Sequence, residues 1–232
     1  MSFVPGEVIS YLEMCREEGV QLQRGMNYRM RGKHSVILMS VRRDAPYADR
    51  LEQNGTVLIY EGHNIPQTRG GADPKKADQQ IVSSIGSLTQ NGLFSEAAQD
   101  YKVGIRNPEL VKVYEKILSG VWVYNGLFSL TDAWQEWTGT RHVFKFRMEA
   151  ASYELPRPDA EPEALQHTRL IPTDVKLAVW KRDKGQCVLC HSQDNLHFDH
   201  VIPFSKGGSS LVAGNVQLLC ARHNLSKSDK IE

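Results

Sequence analysis

The residues of this chain best suited to chemistry crowd towards its C-terminus. Cys187-x-x-Cys190 opens the stretch and Cys220-x-x-His223 closes it. Two close pairs of ligands separated by a long excursion form the spacing of a tetrahedral Zn²⁺ site, which holds a small fold together. Of the four cysteines only Cys15 lies outside this pattern. Between the pairs stand Asp199-His200 and Asn215, and Asn224 follows the second pair directly. Such a set suits hydrolysis of a phosphodiester. A histidine near its ordinary pKa can take the proton of an attacking water. A hard cation, Mg²⁺ or Mn²⁺, on oxygen ligands stabilises charge on the phosphorane and on the leaving oxygen. Asp199 and Asn224 offer those oxygens. Adjacent strand residues alternate faces, so His200 is expected on the side opposite Asp199, towards the water.

The order D-H-x-x-P-x-S-x-G-G, then N-x-x-x-L-C, then H-N-x-x-K resembles the HNH (ββα-metal) endonucleases, over roughly residues 172–230. The resemblance implies His200 as general base and Asp199 and Asn224 as ligands of one catalytic cation. It also implies Asn215 as the residue that orients His200 by hydrogen bonding. Lys227, just after, is expected against the backbone of the cleaved strand. Many members carry Cys where His223 stands. A Cys₃His set is still an ordinary zinc site, but the alternative stays open that His223 serves the catalytic cation. A plain zinc ribbon accounts for the four metal ligands and not for Asp199-His200, Pro203, Gly207-Gly208, Asn215 and Asn224. His191 and His197 read as surface or packing residues, because the tetrahedron is already full.

These residues need a scaffold, and composition bounds what it can be. With 232 residues there is chain for one or two domains with real cores. Hydrophobic residues at 41% and charged residues at 24% describe an ordinary soluble globular protein. No apolar run is long enough to span a bilayer, and Met1 to Glu7 lacks the basic-then-apolar pattern of a secretory signal. Few cysteines, mostly spoken for by metal, fit a reducing cytoplasm, which the nuclease resemblance implies is a bacterial one. Lys and Arg number 28 against 27 acidic residues, which argues against bulk charge as the source of affinity for nucleic acid and for a local basic face.

Taken in order, residues 6–18 carry Val8, Ile9, Leu12, Met14 and Cys15 at helical spacing, which makes Cys15 a packing residue. Apolar runs predict strands at 34–41 and 56–62, then a helix that includes 95–101, then strands at 110–117, 121–130 and 142–149. Trp122, Trp134 and Trp137 are expected in the core. Residues 151–168 are rich in Pro, Ala and acid and read as a semi-extended linker. A helix follows from Pro172, with Thr173 or Asp174 at its start and Gly185 as its stop. A last helix over 212–225 is expected to supply Asn224.

The strand-rich region resembles a second family. S-V-I-L-M-S, a Y-E-G after a strand, Gly70-Gly71, Asp78-Gln79, and W-V-Y-N-G-L-F-S-L-T-D-A-W occur in the order of the SRA (SET and RING associated, or YDG) domains. The namesake Y-D-G appears as Tyr124-Asn125-Gly126, with Asn in place of Asp. The resemblance covers about residues 30–150. It implies a twisted, barrel-like β fold that binds duplex DNA and flips a modified cytosine, 5-methyl or 5-hydroxymethyl, into a pocket. Such a pocket needs aromatic faces and a carboxylate for the cytosine N4 amine. Tyr47, Asp49 and Tyr60 match, with Asp44 as a rival for Asp49. The plainer reading makes Tyr60 a core residue and Asp49 a solvated loop charge. His63, Arg69, Lys75 and Lys76 lie in the loop expected near phosphates or in the gap left by the flipped base.

The sequence therefore predicts an α+β chain in two parts. Residues 1–150 form a twisted, barrel-like SRA (PUA-like) reader of duplex DNA carrying modified cytosine. Residues 151–168 form an acidic, Pro-rich linker that leaves the rest tethered but mobile. Residues 169–232 form a zinc-held HNH nuclease with one catalytic Mg²⁺ or Mn²⁺. One such site cuts one strand, so a double-strand break implies a homodimer or two independent nicks. The rival expectations are a reader that does not cleave, and a nuclease aimed by a PUA-like barrel at RNA or another base modification.

Overall fold

The computed structural model describes residues 3–30, 32–42, 45–67, 69, 71, 73–151, 170–203 and 206–228. Strand β1 (Val8–Ile9) and helix α1 (Tyr11–Glu18) open the chain. Strands β2 (Met26–Met30), β3 (His34–Met39), β4 (Arg50–Glu52) and β5 (Val57–Glu61) follow, then helix α2 (Gln90–Lys102). Three long strands come next: β6 (Glu109–Leu118), β7 (Val121–Trp137) and β8 (His142–Ala150). All eight strands form one sheet of order β2-β3-β6-β7-β8-β5-β4, with β1 paired to β7. Only β3 and β6 run parallel among the pairings of that sheet.

Strands from both ends of that order share one core. Met26 and Ile37 from one end and Leu58 and Tyr60 from the other pack in the same cluster as Phe94, Ala97 and Ala98 of α2. The sheet must curl around α2 for this to happen, which is the barrel-like α+β fold expected from the sequence. Burial of alternate residues, Val111 and Val113 on β6 and Phe144, Phe146 and Met148 on β8, aims their side chains at that core.

The C-terminal part contains α3 (Thr173–Arg182), the hairpin β9 (Leu196–His200) with β10 (Val216–Cys220), and α4 (Ala221–Lys227). The sequence predicted a helix over 212–225. Instead Val216 pairs with His200 and Cys220 with Leu196, and the helix begins only at Ala221. Val216, Leu218 and Leu219 are buried in the hairpin's core, so tertiary packing decides the local conformation. The predicted helix over 6–18 is likewise shortened. Ser10 accepts from the Glu13 N–H and Glu13 caps the Ser10 N–H in return, so α1 starts after Ser10 and leaves Val8 and Ile9 to a strand. Cys15 is a packing residue as expected, on the cluster around Met14 and Tyr114. Trp137 departs from the expected core position and is exposed at the end of β7.

The linker lies mostly outside the described residues, but both of its neighbours are placed, and the C-terminal part is packed on the sheet. Ile117 and Val123 of the sheet share a core with Ile171, Val175, Val179, Leu196, Phe198 and Leu218. The N-terminal segment threads between the two. The Gly6 N–H donates to the Tyr124 carbonyl at 2.8 Å, and the Gly6 carbonyl accepts from the Phe198 N–H at 3.0 Å. Gly6 has φ +90°, and a Cβ there would stand 2.8 Å from the Phe198 carbonyl oxygen, so only glycine fits. The tethered and mobile nuclease expected from the linker's composition is thus replaced by a docked one. No helix of the described residues is long and apolar enough to cross a membrane.

Candidate functional site

The four metal-type ligands meet. Cys187 Sγ and Cys220 Sγ each lie 3.3 Å from His223 Nδ1, and Cys190 Sγ lies 3.8 Å from Cys220 Sγ. All four ligand atoms fall within 4.8 Å of one another. Zn–S bonds of about 2.3 Å at tetrahedral angles place two sulfurs about 3.8 Å apart. The donor set therefore fits a structural Zn²⁺. The local chain explains the approach. The His191 N–H closes on the Cys187 carbonyl at 2.8 Å, which folds the first pair into a tight turn. Cys220 ends β10 and His223 sits in the first turn of α4. His223 thus turns its Nδ1 to the thiols, which leaves little to favour the alternative of His223 on the catalytic cation.

Asp199, His200 and Asn224 line one cavity of about 210 Å³, together with Pro5, Gly6, Asn125 and Lys176. The strand ends at His200, so the expected opposition of Asp199 and His200 does not keep them apart. Burial holds the His200 pKa below its ordinary value, with the Lys227 charge adding to the effect and Asp199 opposing it. A neutral imidazole is the form a general base needs. His200 Nε2 lies 2.8 Å from Oγ of the buried Ser210.

Asn215 acts at one remove from the ring. Its side chain accepts from the Ile202 N–H at 2.8 Å and donates to the carbonyls of Ile202 and Ser209, each at 3.1 Å. Its own carbonyl takes the Val201 N–H at 2.8 Å. The direct hydrogen bond expected from Asn215 to His200 is absent, and Ser210 makes the ring contact. Asn215 instead clamps the loop that carries Ser210. Gly208 belongs to the same device, because a Cβ there would overlap the Ile202 carbonyl.

Lys227 is not on a DNA-facing surface. It is 1% exposed, with Nζ 2.6 Å from the His200 carbonyl and 2.8 Å from Asp199 Oδ2. Asp199 Oδ2 is buried and accepts no aligned hydrogen bond, although the side chain keeps 24% of its exposure. One carboxylate oxygen is therefore turned inward to Lys227, and the exposed remainder faces the cavity with Asn224. That arrangement fits a hard divalent cation on Asp199 and Asn224.

In the sheet, Tyr47, Asp49 and Tyr60 come together. Asp49 accepts from the N–H groups of Ser40 at 3.2 Å and Glu61 at 3.0 Å. Burial pushes its carboxyl up to about 7. Burial raises the Tyr60 hydroxyl well above its ordinary value, and the nearby Asp49 and Tyr47 add to it. Tyr60 is fully buried, so its ring belongs to the sheet's core in this conformation. Tyr47 stacks on His63, with ring centroids 6.3 Å apart and planes 28° from parallel. Of the two roles expected for His63, phosphate contact as a cation is disfavoured: burial lowers its pKa to about 4, and it stands neutral beside Tyr47. Arg69, Lys75 and Lys76 are exposed. Asp44 lies outside the described residues.

Sequence reasoning missed Ser210, and it missed the inward role of Lys227. The second had a signal, since Lys227 follows Asn224 by three residues on a helix and so shares its face. Nothing in the local sequence marks Ser210.

Residues 187–230 match the model of the HNH endonuclease family. The matched segment holds the four metal-type ligands, Asp199, His200, Asn215 and Asn224. No curated protein matches the chain. Among solved structures, the chain is similar to the SUVH5 SRA domain in complex with hemi-methylated CG DNA, at 24% identity over 68% of this chain and 96% of that one, with a TM-score of 0.46. It is similar to the same SRA domain bound to fully hydroxymethylated CG DNA, at 26% identity over 64% and 91%, with a TM-score of 0.42. It is also similar to the Type IV phosphorothioation-dependent restriction endonuclease ScoMcrA, at 16% identity over 99% of this chain and 56% of that one, with a TM-score of 0.45.

Proposed function

We propose that this chain is a modification-dependent DNA endonuclease, in which the curled sheet reads a modified cytosine and the C-terminal part cuts nearby. The observation that carries the cutting half is the single cavity lined by Asp199, His200 and Asn224, beside a Cys₃His cluster. His200, kept neutral by burial, takes the proton of the attacking water. Ser210 fixes the ring through Nε2, which leaves Nδ1 for the water when Nε2 carries the proton. Asn215 holds the loop in which Ser210 lies. A Mg²⁺ or Mn²⁺ on Asp199 and Asn224 would supply charge stabilisation at the phosphate and the leaving oxygen. Lys227 keeps the inward oxygen of Asp199 neutralised.

The reading half is supported by Asp49, Tyr60, Tyr47 and His63 gathering at one place in the sheet. Asp49 as a carboxylate can accept from a cytosine N4 amine, and Tyr47 and His63 offer ring faces. Arg69, Lys75 and Lys76 are exposed, and on this reading they meet phosphates. Cleavage of matched plasmids carrying cytosine, 5-methylcytosine or 5-hydroxymethylcytosine, with Mg²⁺ and then Mn²⁺, tests both halves. The expected result is cutting of a modified plasmid alone. Equal cutting of all three would remove the reader and keep the nuclease, and cutting of none would leave at most a binding protein.

A further inference from the structure

A polar knot joins the C-terminal part to the sheet, and neither half of the proposed activity calls for it. Glu115 of β6, Asn125 of β7, and Thr173 and Lys176 of α3 are all buried. Lys176 Nζ donates to Glu115 Oε2 at 2.5 Å and to Asn125 Oδ1 at 2.8 Å. Asn125 Nδ2 donates to Glu115 Oε2 at 2.9 Å, and the Thr173 hydroxyl donates to Glu115 Oε1. One ammonium meets one carboxylate, and the amide and hydroxyl fill the remaining positions. Asn125 stands where the SRA resemblance leads one to expect Asp. An Asp there would set a second carboxylate against Glu115 with one Lys to serve both. The Asn is therefore matched to Lys176 across the junction.

The knot ties rigid elements to one another. Glu115 faces Met39 in the β3–β6 pairing, inside the sheet. Lys176 is in the middle of α3, next to Val175, which is in the shared core. Lys176 and Asn125 also line the cavity of Asp199, His200 and Asn224, so the junction abuts the proposed cutting site. Buried ion pairs add little net stability compared with apolar packing, but they tolerate only one geometry.

We propose that this knot locks the nuclease to the reader in one orientation, so that the distance from the recognised base to the cut phosphate is set by the fold and not by the length of the linker. The inference rests on the proposed function. With the junction undone, the 18 residues 151–168 inclusive would let the two parts range over at least about 23 Å, the random-coil value that a Pro-rich chain exceeds, or at least about seven base-pair steps. A locked nuclease would cut within one or two.

The test maps cut positions on a duplex with one modified cytosine, using the full chain. Wild type is expected to cut at one or two positions. Lys176→Met leaves Glu115 buried without its cation, and undocking relieves this, so cuts should spread over at least three times as many positions. Asn125→Asp should act the same way. Lys176→Met with Glu115→Gln removes the penalty of an unpaired charge together with the knot, so the chain should fold as wild type does while its cuts stay spread; a narrow pattern from it would assign the docking to the apolar core and overturn the lock. Ten residues inserted between 151 and 168 with the knot intact should leave the position unchanged, which keeps the test sound even if the point variants fold poorly. Scattered wild-type cuts, an unspread Lys176→Met pattern, or a position that moves with linker length would overturn the lock. If wild type cuts no modified duplex, the proposed function falls, and calorimetry then judges the lock. One shared melting transition that Lys176→Met splits in two supports it; two transitions already in wild type overturn it.

Discussion

The two working regions of this chain are built in opposite ways. The proposed nuclease is short, and its candidate site sits on a hairpin and one helix whose ends are brought together at four metal-type ligands. The proposed reader is a long curled sheet, and its candidate pocket is assembled from a loop, a strand and a following turn around Asp49. A small unit buries little apolar surface of its own, so it leans on the core it shares with the sheet, and a metal on ligands of fixed spacing would add the rest. A sheet of eight strands holds itself by burial, so its functional residues need no fixed spacing. The first arrangement writes function into local sequence, and the second spreads it over long-range contacts.

The largest effect that can break this contrast lies at His200. His200→Ala should lower cutting about 10²- to 10⁴-fold and leave DNA binding as it was. Gel-shift and cleavage on one oligonucleotide check this, and wild-type cutting by the variant would remove His200 from the chemistry. Next in size is the metal. Cys187→Ser should abolish stoichiometric zinc and unfold the C-terminal part while α2 and its sheet stay folded, as seen by metal analysis and calorimetry. A variant that keeps both zinc and its full transition would show that the hairpin's own core suffices.

A smaller effect sharpens the reader side. The Asp49 carboxyl is raised to about 7 by burial. An unfolded chain gives up that proton near the ordinary carboxylate value, so between about 4 and 7 the folded chain binds more protons. Stability attributable to Asp49 therefore falls as pH rises through that window. Asp49→Asn carries no such proton and should gain on wild type by a few kcal/mol between pH 5 and pH 8 in urea denaturation. An offset that does not change with pH would mean that Asp49 is ionised and comfortable in the fold. The smallest change is at Ser210, where loss of one hydrogen bond, worth about 1 kcal/mol, should slow cutting roughly fivefold in Ser210→Ala. Ser210→Thr, which keeps the hydroxyl, should recover most of it, and an unaffected Ser210→Ala would make the contact incidental.

The same contrast explains what could be read in advance. Cys187, Cys190, Cys220 and His223 stand at set spacings and converge on one point, and Asp199, His200 and Asn224 line one cavity. The strands 110–117 and 142–149 were legible because apolar residues repeat every second position. The segment 212–225 was not, because V-Q-L-L-C suits helix or strand alone, and only pairing with β9 decides. Lys227 read as a surface charge for the cleaved strand, and Lys176 drew no reading at all, because an isolated sequence cannot show a carboxylate or carbonyl waiting inside. Asn125 looked like a lapse from a motif until Lys176 was found against it. The docking of the nuclease was hidden by a linker whose composition describes its own stiffness and says nothing of the surfaces it joins.

The account stands on the claim that choosing and cutting belong to different regions of one body. Competition cleavage of an equal mixture of modified and unmodified duplexes, by wild type and by Asp49→Ala, measures this directly. Wild type should favour the modified duplex at least tenfold, and Asp49→Ala should cut both at similar rates with its cutting intact. Equal cutting by wild type, or an unchanged preference in Asp49→Ala, would contradict it.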